Sequence, residues 1–134
     1  MTLTHLLPSL QREWVINELT NYAAAENVNV SIADLPSSFR PTAIAAISVA
    51  AARPVLIVTS RADRADLLCT AINEFLPASR QARLWIGPEA LPYEQLPFDL
   101  ASSADRVSLL GTLIDSNQRS PIVVTSAHGL MHLV

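Results

Sequence analysis

The sequence predicts an α/β fold, a parallel sheet flanked by helices. Three observations carry this. Short runs of β-branched and apolar residues, PVLIVT at 54–59 and IVVT at 122–125, read as buried strands. Between them lie segments whose apolar residues recur at helical spacing, and strand and helix alternate through at least three units. With 134 residues, half of them hydrophobic and 16% charged, the chain can bury a core.

Residues 10–25 read as a helix, with Ser9 as N-cap and Val15, Ile16, Leu19, Tyr22 and Ala23 on one stripe. Val28, Val30 and Ile32 then alternate with polar residues, as in a strand. Pro41 opens a helix over 41–52 that is apolar nearly all round and so is expected to be buried on several sides. The run 54–59 is continuous, which predicts a strand covered on both faces. Ser60 and Asp63 are spaced as a capping box for the next helix, which carries Ala65, Leu68, Cys69, Ile72 and Leu76 on one stripe. Residues 83–86 form a short strand, and prolines at 88, 92 and 97 make 87–99 a loop. Ser102 or Ser103 caps a helix whose expected buried stripe is Val107, Leu110 and Ile114. Residues 122–125 are the last strand. The apolar, uncapped end at 129–134 reads as a cut within a longer protein.

Composition excludes several chemistries. All nine basic residues are arginine, and the three glycines, Gly87, Gly111 and Gly129, lie far apart. A working phosphate loop needs clustered glycines and a lysine, so none is expected, nor a GxGxxG fingerprint, nor a Schiff-base lysine. A net charge of −3 argues against autonomous DNA binding. The one cysteine, Cys69, forms no internal disulfide and fits a reducing cytosol. No signal peptide is read, and the apolar segment 42–52 is too short to span a membrane, so a cytoplasmic location is expected.

In parallel α/β folds ligands sit at the carboxyl ends of strands, here Asp34, Thr59-Ser60, Gly87-Pro88-Glu89 and Thr125-Ser126. The turn at 34–41 stands where a phosphate loop would be. Asp34 places negative charge there, and Pro36 and Pro41 remove two N–H donors. A structural turn is the favoured reading. The rival is a small ligand-binding domain, a nucleotide or anion sensor, using Ser37, Ser38 and Arg40 as contacts. Ser126 and His128 lack the nucleophile elbow of a hydrolase. His128 and His132 are four apart but lack the intervening Glu and a third ligand for a metal. Glu89, Glu94 and Asp99 read as solvated loop charges, Asp105 as suited to the positive end of a helix, and Arg106 as an ion-pair partner. Cys69, Trp14 and Trp85 are taken as core. No apolar strand ends in the acidic pair of a Walker B site.

The stretch Gly87-Pro88-Glu89-Ala90-Leu91-Pro92-Tyr93-Glu94, with Pro97, Asp105-Arg106-Val107 and Leu109-Leu110, resembles the N-terminal region of bacterial transcription-repair coupling factor (Mfd). So do Arg53-Pro54-Val55-Leu56-Ile57-Val58, Ile122-Val123-Val124-Thr125-Ser126 and Gly129-Leu130-Met131-His132. The resemblance runs from about Val28 to the end. It implies a helical lead-in over 1–27 and, over 28–134, the first part of a degenerate P-loop NTPase module of the RecA/UvrB type. The family's degenerate loop keeps G-L-x-G-S-A; here Leu35 and Ser38 match, both glycines are gone, and Arg40 stands at the lysine position of an active loop.

The implied function is that of a non-catalytic scaffold or interaction domain. Its parent displaces stalled RNA polymerase at DNA damage and recruits the excision-repair protein UvrA. The parent would be an ATP-dependent DNA translocase whose motor, with its ATP and Mg, lies downstream of Val134. The resemblance assigns this chain no catalytic, cofactor or metal residue and no membrane partner. Its partners would be other domains of the parent, with UvrA held by the following domain and RNA polymerase and DNA by downstream ones. Leu91, Pro92, Tyr93, Glu94, Arg106 and Ser126 are family-motif positions without an assigned role.

Overall fold

The computed structural model describes residues 2–87, 100–115 and 120–131 (of Leu100 and Ser102 the backbone only). The chain forms two compact units, one of Met1–Arg53 and Thr70–Gln81, the other of Pro54–Cys69 and Ala82–Val134.

The first unit is helical. A single 3-10 turn, Thr4–Leu6, runs into α1 (Leu7–Leu10), followed by α2 (Trp14–Ala24) and α3 (Arg40–Ala51). The helix expected over 10–25 forms as α2, which starts later, at Trp14; Leu10 instead ends α1. Ser9 lies inside α1, and the N-cap of α2 is Glu13, whose extended backbone (φ −62°, ψ 131°) breaks the helical path. Of the expected stripe, Ile16 is fully buried and Tyr22 is exposed. Trp14, expected in the core, is 73% exposed. Helix α3 starts at Arg40 with Pro41 in its first turn, where the missing N–H costs no hydrogen bond. It buries Ala43, Ala45, Ala46 and Ser48, which lie on more than one side, as its all-round apolar sequence predicts. Its end turns through Ala52 in the left-handed region (φ 49°), and Arg80 donates to the carbonyls of Val49 (3.1 Å) and Arg53 (3.4 Å) there.

The strand expected around 28–32 does not form. Val28, Val30 and Ile32 lie outside helix and strand and are exposed. Alternation makes a strand only where a neighbour supplies the ladder, and no strand of the described sheet pairs with this segment.

The second unit holds a three-stranded parallel sheet in the order β1-β3-β2, flanked by helices: β1 (Val55–Thr59), β2 (Ala82–Trp85) and β3 (Ile122–Ser126). The register runs from Val55↔Ile122 to Thr59↔Ser126, and from Ala82↔Ile122 to Trp85↔Thr125. All five residues of β3 are buried. The two-sided cover expected of β1 belongs to β3 instead. As an edge strand β1 alternates, with Leu56 55% and Val58 46% exposed.

Helix α4 (Ala62–Asn73) follows β1, and the division between the units falls within it, after Cys69. Ala65, Cys69 and Ile72 are buried along its stripe, with Leu76 just beyond. The helix begins only at Ala62, which puts Asp63 at its second residue rather than at the third position of the expected capping box, and Asp63 pairs with Arg61 Nε (3.0 Å).

Helix α5 (Leu100–Ile114) departs most from expectation. It starts before Ser102 and Ser103, so neither caps it, and Asp105 is beyond its first turn. Val107, Leu110 and Ile114 are 69%, 41% and 80% exposed, while Leu109 is buried. The cause lies on β2. Arg83 donates to Thr112 Oγ1 (3.0 Å) and Ser108 Oγ (3.2 Å), which turns the hydroxyl side of the helix toward the strand. Leu109 comes with that side and joins Trp85 and Val123 in the core. Helix α6 (Ala127–Met131) follows β3 directly. Among the described residues no helix is long and apolar enough to cross a membrane.

Candidate functional site

The carboxyl ends of β2 and β3 lie side by side, and their polar groups serve the fold. Thr125 Oγ1 is buried and donates to the Trp85 carbonyl (3.0 Å), tying the two strand ends together beyond the ladder. Trp85 Nε1 donates to the Gly129 carbonyl (3.2 Å). The Gly129 N–H donates in turn to Ser126 Oγ (3.0 Å), so Ser126 caps α6. The backbones of Gly87 and Gly129 meet where a crevice would open. A Cβ on Gly87 would stand 2.7 Å from Gly129 Cα, and one on Gly129 would stand 2.6 Å from Thr125 Oγ1. At the end of β1, Thr59 Oγ1 donates to the Arg61 carbonyl (2.8 Å).

The residues singled out in the sequence fall in different places. Asp34, Ser37, Ser38 and Arg40 are exposed and belong to the helical unit, whereas the strand ends belong to the other. Because 28–32 is not a strand, the turn at 34–39 lacks the strand half of a phosphate loop. Asp34 adopts the left-handed conformation (φ 62°), which short polar side chains tolerate. The Phe39 N–H bonds to the Pro36 carbonyl (3.0 Å), closing the turn before α3. Arg106 lies over the Trp85 ring, 5.0 Å from its centroid, a cation–π contact. Ser126 is buried and His128 exposed. Leu91, Pro92, Tyr93 and Glu94, with Pro88, Glu89, Asp99 and His132, lie outside the described residues.

Cys69 is buried, 3.5 Å from the Ala82 carbonyl. Burial first, and the charge of Asp66 second, push its thiol pKa above the ordinary 9.0, so it stays protonated and packs as an apolar group. Asp63 is fully exposed. Slight desolvation raises its pKa, but the hydrogen bond and charge of Arg61 outweigh that and hold it below the usual value.

Sequence reasoning passed over Arg83. A cleft of about 320 Å³ between β2 and α5 is lined by Arg83, Leu84, Ile86, Asp105, Arg106 and Leu109. The signal was available, since Arg83 is the one charged residue in the strand Ala82–Trp85. The guanidinium is held by two hydroxyls, so its place in the cleft wall is fixed. Among the described residues no group of three or more His, Cys, Asp or Glu could hold a metal. The chain matches no protein-family model, no curated protein and no solved structure.

Proposed function

We propose that the chain is a non-catalytic scaffold or interaction module of the kind found at the N-terminus of transcription-repair coupling factor. The observation that carries this reading is the use made of the strand ends. Where parallel α/β proteins open a ligand crevice, Thr125, Ser126 and Trp85 bond to backbone, and Gly87 and Gly129 close the space between them. The degenerate turn at 34–41 supports it, with an acidic residue and two prolines, Pro36 and Pro41, where phosphate would need donors. So does the outward apolar side of α5, Val107, Leu110 and Ile114, which suits contact with another module.

On this reading the module is a degenerate P-loop domain that presents its neighbours in a longer, cytoplasmic protein. ATP and Mg belong to a motor elsewhere in that protein. UvrA, RNA polymerase and DNA are met by other domains.

Two experiments test the proposal. Calorimetric titration with Mg-ATP and then ADP is expected to give no heat and no rise in melting temperature. Saturable binding abolished by Arg40→Ala would overturn it and make the chain a ligand-responsive domain. Residues 28–134, exchanged for the corresponding region of a transcription-repair coupling factor, are expected to preserve polymerase displacement and UvrA recruitment. A chimaera that folds and translocates but recruits no UvrA counts against the proposal.

A further inference from the structure

We draw no further inference here: the strongest candidate, the cleft between β2 and α5 in whose wall two hydroxyls hold the Arg83 guanidinium, carries nothing because residues 88–99, which link β2 to α5 in sequence, lie outside the described residues and nothing in the structure shows what covers it.

Discussion

At the residue scale the close approach of Gly87 and Gly129 fixes how β2, β3 and α6 meet. A methyl group on Gly129 has no room: its Cβ would fall 2.6 Å from a buried Thr125 hydroxyl that already donates to the Trp85 carbonyl. Gly129→Ala is therefore expected to lower stability in urea denaturation by about 1–3 kcal/mol, the usual cost of overpacking. Gly111 is the control. It lies within α5, and a Cβ there would meet nothing within 4 Å. Gly111→Ala should raise stability by roughly 0.5–1 kcal/mol through helix propensity alone. Equal effects of the two substitutions would show that the glycine contact does not organise the strand ends. Gly87 and Gly129 could be read as isolated glycines in the sequence, but not as a pair. Their meeting depends on a 42-residue excursion of the chain that no local pattern reports.

At the element scale, legibility tracked burial. The continuous apolar runs at 54–59 and 122–125 both became strands, and the stripe of α4 was buried as its spacing required. Continuity did not reveal which run is central. PVLIVT is the more hydrophobic in appearance, yet β3 takes the middle because both neighbours pair with it. Helix α5 was misread because two apolar lines run along it, and the sequence alone favoured the longer. Arg83 selects the other by demanding hydroxyls, which only Ser108 and Thr112 supply on adjacent turns. The structure thus predicts opposite outcomes for two apolar residues of one helix. Leu109→Ala should cost about 2–5 kcal/mol, as core truncations do. Ile114→Asp, at an exposed position, should change stability by less than about 0.5 kcal/mol. Thermal melts of the two variants check this, and a destabilised Ile114→Asp with a near-native Leu109→Ala would restore the sequence-based orientation.

At the scale of the whole molecule, the two compact units are not successive in sequence. The chain passes between them after Arg53, after Cys69 and after Gln81, and the second passage lies inside α4. That helix gives its first residues to the sheet unit and its last to the helical unit. Neither unit can unfold completely without breaking α4 in its middle, where a helix has no cap to satisfy its freed backbone groups. Cooperative unfolding is therefore expected despite the division. The two tryptophans make it measurable. Trp14 is in the helical unit and 73% exposed, so Trp14→Phe should be nearly neutral. It leaves Trp85, buried in the sheet unit, as the only indole fluorophore. Circular dichroism meanwhile follows the helices of both units, and so adds α1, α2 and α3 to what Trp85 reports. In urea, at concentrations where the protein is a single chain, the two signals should trace one transition with a common midpoint. Separate midpoints would mean that α4 frays at Cys69 and that each unit holds its own structure, the behaviour of two foldons joined by a helix rather than of one cooperative domain.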